Sequence, residues 1–285
     1  ITDDIKFRLI MFRSGFRLPI FGSVLEVFGT WQRYRVFINE SIPTEGIDAG
    51  AAYDYFQGTS MSANWKLNLM KKRLDGGINP SNGFKIWIKT DLEKNKFIEG
   101  LDFSDAGTLV ETFDGNNLLR LQGGAEYHYE LPWMDRWTLS FKGNAGWISN
   151  ANVDSFFHFF NGGLPGLKGY PFYSSERTRS TLGEVSFRIP IVRGNHTKIG
   201  WFIFQNSVIG GVVQFGDAWT DGSSPRWKKS AGIQWRLNGF SFYNFPTAIE
   251  FEIHQGLSPF TRNIKGKIFN YGEKPRKYIR ILFDF

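Results

Sequence analysis

The residues able to do acid–base or metal chemistry are few. The four histidines, His128, His158, His196 and His254, show no metal-ligand spacing. His128 alternates with Glu126 and Glu130, and His254 with Glu250 and Glu252. Alternation puts each set on one strand face. Glu250 and Glu252 could pair as acid and base, but a polar face lining water explains both rows more simply. The chain has no cysteine. That excludes a disulfide scaffold, a Cys-ligated zinc or iron–sulfur site and a Cys nucleophile. No Gly-x-Ser-x-Gly elbow occurs. Gly163 to Gly169 lacks the Gly-Lys-Ser/Thr ending of a phosphate loop. No catalytic residue, metal ligand or cofactor is expected, and the chain does not read as an enzyme.

The elements that carry these side chains have a period of two nearly everywhere. Ala231, Ile233, Trp235 and Leu237 alternate with Ser230, Gly232, Gln234 and Arg236. Ile249, Phe251 and Ile253 alternate with Glu250, Glu252 and His254. Trp137, Leu139 and Phe141 oppose Thr138, Ser140 and Lys142, and Val185, Phe187 and Ile189 oppose Glu184, Ser186 and Arg188. No stretch has a convincing helical period. About twelve alternating segments are expected, near 4–14, 22–38, 48–58, 60–74, 83–97, 117–131, 136–148, 180–191, 200–219, 227–238, 247–257 and 277–285. Turn signals punctuate them at Gly76-Gly77-Ile78-Asn79-Pro80, Asp114-Gly115-Asn116-Asn117 and Asp221-Gly222.

Composition narrows the class. The 285 residues are 41% hydrophobic and 17% aromatic, too apolar for disorder. No run of about 18 apolar residues exists, which excludes membrane helices but not a membrane barrel. The net charge of +7 is modest and the cations form no stripe, so no nucleic-acid partner is expected. A soluble sandwich also alternates, but it turns every 8–12 residues. Here the spacing fits strands of about 10 residues with turns and some long loops, as in a membrane barrel. Trp133, Trp147, Trp201, Trp219 and Trp227 sit toward segment ends, as aromatic girdles do. Ile1-Thr2-Asp3-Asp4 does not start a signal peptide, so either targeting was removed or this is part of a longer chain.

Two local features stand out. The C-terminal segment Tyr278 to Phe285 sets Ile279, Ile281, Phe283 and Phe285 on one face. It is similar to the insertion signal of bacterial outer-membrane barrels, with Arg280 where such signals usually carry Gly. The segment 156–174 lies between alternating strands and is too long for a hairpin turn. Gly162, Gly163, Gly166 and Gly169 allow close approach to a wall, and Lys168 is its one cation. A cation folded against a wall needs an acidic or polar partner there.

These residues carry a resemblance to the Omp85 family of outer-membrane barrels (the bacterial surface antigen D15 type). The tip Leu167-Lys168-Gly169-Tyr170, after Gly162-Gly163, resembles the family's lumen-loop signature. Gly183-Glu184-Val185-Ser186-Phe187-Arg188-Ile189-Pro190 looks like the next strand. Gln214-Phe215-Gly216-Asp217-Ala218-Trp219 looks like the one after it. Five strands follow the loop, in keeping with the family. Departures exist: Lys168 replaces the signature Arg, Gln214 the wall Asp and Ser186 the wall Glu, with Glu184 one pleat earlier. Lys168 is therefore expected to meet Gln214 or Glu184.

The resemblance implies an all-β transmembrane antiparallel barrel over 1–285, with 149–179 folded into the lumen. Family barrels have sixteen strands. Twelve imply either a smaller barrel or a C-terminal part, with first strands and any periplasmic domain missing. The implied site is the loop motif Leu167, Lys168, Gly169, Tyr170, Gly162 and Gly163. Its docking wall is Glu184, Ser186, Arg188, Gln214 and Asp217. The C-terminal seam is Tyr278, Ile281, Phe283 and Phe285. Implied partners are outer-membrane lipid, a polypeptide substrate and proteins of an outer-membrane complex. The implied work is insertion or translocation of polypeptides through a weak strand seam. The alternative is a structural barrel anchoring a fused domain or partner. A diffusion porin fits less well, because a tucked loop obstructs the lumen.

Overall fold

The computed structural model describes residues 2–42, 47–73, 76–105, 109–242, 245–264 and 266–283. Phe285, expected at the seam, lies outside them. The strands are β1 (Thr2–Ile20), β2 (Ser23–Ile42), β3 (Ile47–Asn68), β4 (Gly83–Phe103), β5 (Leu109–Glu130), β6 (Thr138–Ile148), β7 (Phe159–Phe160), β8 (Glu176–Arg177), β9 (Arg179–Val192), β10 (Thr197–Ile199), β11 (Phe202–Trp219), β12 (Lys228–Ser241), β13 (Phe245–Gly256), β14 (Phe260–Ile264), β15 (Lys267–Tyr271) and β16 (Arg276–Phe283). The only helical turns described are two 3₁₀ turns, Ser155–Phe157 and Phe172–Ser174.

Twelve strands form one sheet in the order β1-β2-β3-β4-β5-β6-β9-β11-β12-β13-β16, with β10 paired to β11. β7 with β8 and β14 with β15 form separate two-stranded ribbons. The all-β class and the twelve-stranded antiparallel sheet are as expected. The closed barrel is not: among the described residues no pairing joins β1 to β16, and the sheet is open. The even alternation of each strand sorts its side chains onto two faces, but does not say which strand closes against which.

Two local expectations also change. Segments 48–58 and 60–74 are not two strands; β3 runs through them from Ile47 to Asn68. Gly58, the end of the expected first segment, lies inside the strand. A Cβ on it would stand 2.6 Å from Asn95 Oδ1, so the glycine serves close packing. The polar run Asp114 to Asn117 likewise lies inside β5 rather than in a turn. A polar run need not break a strand whose pairing is already set on both sides.

The chain divides into two compact units, 1–65 with 89–121 and 148–150, and 66–88 with 122–147 and 151–285. In the first, Phe56 packs on Phe97 (centroids 4.8 Å apart) and Tyr34 (6.0 Å). In the second, burial is inverted relative to a water-soluble sheet. Gln234, Arg236, Glu250, Glu252 and His254 are buried, while their neighbours Ile233 (61% exposed) and Ile253 (52%) face outward. The polar face of β9, β11, β12, β13 and β16 is therefore the inner one. The apolar core of this unit joins Leu167 and Tyr170 of the segment 151–178 to Leu182 of β9, with Phe260 and Tyr271 of the ribbon β14–β15 against them.

Candidate functional site

Sheet register builds the wall on which the loop rests. Across β12, β13 and β16, Arg236 stands opposite Glu250 and Glu250 opposite Arg280. In the next row Gln234 stands opposite Glu252 and Glu252 opposite Tyr278. These rows become an ion ladder. Arg236 Nε donates to Glu250 Oε2 at 2.6 Å, Arg280 donates to Glu250, and Arg280 Nη2 reaches Glu252 Oε1 at 2.9 Å. Glu250 and Glu252 are essentially fully buried. Removal from water is costly for each charge, so the pairs hold only as a set. Small wall residues leave room for larger ones: Gly232 stands opposite His254, and a Cβ there would lie 2.4 Å from the imidazole Nδ1.

The loop tip fits this wall atom by atom. Lys168 Nζ donates to Glu252 Oε1 at 2.8 Å, and its backbone N–H donates to Gln214 Oε1 at 2.9 Å. Gln214 Nε2 donates to Gly166 O at 3.1 Å and to Glu184 Oε2 at 2.9 Å. Gly169 N–H donates to Ser230 Oγ at 3.0 Å. A Cβ on Gly169 would stand 2.6 Å from the Gly256 nitrogen, so only glycine allows the backbone this close to β13. Tyr170 is fully buried; its hydroxyl donates to Lys229 O at 2.8 Å and accepts from Ser258 N–H at 3.0 Å. Tyr278 of β16 donates its hydroxyl to Lys168 O at 2.8 Å.

The loop base is tied separately. Asn161 Nδ2 donates to the Thr181 and Asp217 carbonyls, both at 2.8 Å. The Asp217 carboxylate accepts from Ser175 Oγ at 3.1 Å and from Arg226 N–H at 2.6 Å, and it pairs with Lys228. Gly162 and Leu167 bridge the loop internally, and Gly163 takes φ 68°.

Most of the expected site residues therefore come together, with changed assignments. Gln214 meets Lys168, but through the Lys168 backbone. The ammonium partner is Glu252, 84 residues further on and not among the expected wall residues. Glu184 braces Gln214 rather than the cation. Ser186 is buried in the wall. Arg188 does not touch the loop tip. Its Nη2 donates to Pro80 O at 3.0 Å and Ser140 Oγ at 3.2 Å. Arg236 holds the same segment, donating to Ile78 O at 2.6 Å and Asn79 Oδ1 at 3.0 Å. So 76–81 is a second segment tucked against the polar face, and its Pro80 carbonyl takes one Arg188 hydrogen bond. Tyr278 braces the tip, whereas Ile281 (54% exposed) and Phe283 (44%) face outward. Ser230, Glu252 and Arg280 were missed as parts of the site. The alternation around Glu252 and the opposing polar row of β12 were the available signal.

One row has the residue types of a hydrolytic relay. Ser140 Oγ lies 2.7 Å from His128 Nδ1, and His128 Nε2 lies 3.6 Å from Glu126 Oε2. Ser140 is 1% exposed and already receives the Arg188 guanidinium, so a substrate cannot reach it. The row is a bridge between β5 and β6. Among the described residues no group of three His, Asp or Glu could hold a metal ion.

Compared with models of known protein families and with curated proteins, the chain matches none.

Proposed function

We propose that the chain is the barrel portion of an Omp85-type outer-membrane protein that assists polypeptide insertion or translocation at a strand seam. One observation carries this reading. The Lys168-Gly169-Tyr170 tip is held on an inner polar wall that includes the last strand, through Tyr278 and through Arg280 by way of Glu252. A loop braced on the terminal strand couples the lumen to the strand that would open. The outward apolar face suits lipid, and strands of 18–22 residues are ample for a tilted crossing. Among the described residues the free edge of β16 offers unpaired backbone groups for strand addition.

The anchor alternative gains weight if the substitutions at Lys168 and Gln214 leave the bracing pair incomplete. Glu252 supplies Lys168 with a carboxylate, which favours the seam reading over the anchor.

The test starts with insertion into lipid vesicles, heat-modifiable gel migration and bilayer conductance. A heat shift with low, flickering conductance is expected; a steady large conductance, or no insertion, would overturn the reading. Because the chain lacks cysteine, Ile279→Cys and Ile281→Cys give unique cross-linking sites on β16. Capture of an incoming β-strand peptide bearing one cysteine supports seam addition. Insertion without capture would leave the anchor.

A further inference from the structure

Between the loop tip and the wall lies a chamber of about 230 Å³, within the second unit. Leu164 to Gly166 cover it, and the chamber is large enough for several waters or one small ion with water. Its walls are charged, and the charges do not balance. Lys168, Arg236 and Arg280 reach it and share two carboxylates, Glu250 and Glu252. Two further cations, Lys142 and Arg188, line it too. Two more carboxylates lie on the wall: Glu184, which accepts from Gln214, and Glu126, 3.6 Å from His128; both keep their charge. Five cations thus face four carboxylates.

One cation is in surplus, and Lys142 and Arg188 are the two that make no close ion pair. Neither has a carboxylate within 4.0 Å among the described residues. Arg188 is 93% removed from solvent, yet its Nη2 has only neutral acceptors and its buried Nε–H has none. A buried guanidinium without an anion is costly. Lys142 is exposed, lines the chamber and stands opposite Glu184 in the β6–β9 register. A guanidinium and an ammonium on one small polar cavity form the usual recognition set for an oxyanion.

We propose that this chamber binds a small free oxyanion of the phosphate class, held between Lys142 and Arg188 beneath the loop. Binding neutralises the surplus cation. It also fixes the cover, because Gly166 is tied to Gln214 at the chamber wall. The site is independent of whether a seam opens, since it uses only the geometry of the second unit.

The experiment is calorimetric titration of the folded full chain with inorganic phosphate, beside protease access at 160–175. Wild-type protein is expected to bind saturably, with slower cleavage of the loop. Lys142→Met and Arg188→Gln are each expected to weaken binding at least tenfold, whereas Lys274→Met, in an exposed turn, leaves it unchanged. Should Arg188→Gln fail to fold, Gln234→Glu decides with Lys142→Met. Gln234 lines the chamber and is 7% exposed, so a carboxylate there supplies the missing charge internally. It should abolish phosphate binding and raise the unfolding temperature without phosphate. No saturable heat in the wild type, unchanged binding by Lys142→Met, or undiminished binding by Gln234→Glu would overturn the proposal.

Discussion

The β1–β2 hairpin and the β12–β13 hairpin read alike in sequence, yet they live in opposite surroundings. Both alternate, and both carry acidic and basic residues at facing positions. In β1–β2, Arg17 stands opposite Glu26, 3.8 Å apart, with the arginine 71% exposed. In β12–β13, Arg236 stands opposite Glu250 and both are buried. The cross-strand pairing rule is the same. What differs is the cover. The loop 151–178 and the segment 76–81 lie on the polar face of β12–β13 and remove it from solvent. An ion pair thereby changes from a minor surface contact into a set of charges that cannot lose a member cheaply.

The largest expected effect tests that contrast directly. Glu252→Gln leaves Lys168 without its charge partner and Arg280 with Glu250 alone. Breaking a buried pair costs about 3–5 kcal/mol. Denaturant unfolding in lipid or detergent should show that loss, together with faster proteolysis at 160–175. The matched change in the other hairpin is Glu26→Gln, which keeps the capacity to accept from Asn64 Nδ2, now 3.0 Å from Glu26 Oε2. Equal losses from the two substitutions would sink the argument that the cover makes the difference.

Gly169→Ala ranks next. The new methyl meets β13 backbone within 2.7 Å, and overpacking of this kind costs about 1–3 kcal/mol. The tip should lift, and protease should cut the loop while the strands stay protected. Lys168→Ala should also loosen the tip by this assay, and unchanged protection would remove the bracing role. Tyr170→Phe isolates the hydroxyl. It leaves Ser258 N–H without its acceptor, for about 1–3 kcal/mol. Hydrogen exchange at Ser258 should quicken with little change at Gly169. Glu26→Gln comes last, at less than about 1 kcal/mol, since exposed pairs are screened.

How much of this was legible in the chain differs by element. The strands after the loop were, because Ile249 to His254 and Gly183 to Arg188 alternate without interruption. β3 and β5 were misjudged: a break was expected between 58 and 60 and a turn at Asp114 to Asn117, and neither interrupts a strand whose pairing is fixed on both sides. The loop as a docked segment was legible from its glycines and its single cation. Gln214 was legible as its neighbour from motif position. Glu252 was legible only as a polar-face residue; its place beside the loop depends on sheet register 84 residues away.

Period-two alternation, the absence of cysteine and the glycine-rich segment are properties of neighbouring residues, so the sequence by itself determined an all-β chain with one polar face per strand and a loop built for close approach. Which side of the sheet was buried, which carboxylate took Lys168, why Arg188 turned to Pro80, and that the described sheet stays open are outcomes of register and cover. They depend on contacts between residues far apart in the chain, where no local pattern records the partner, and only the tertiary structure decided them.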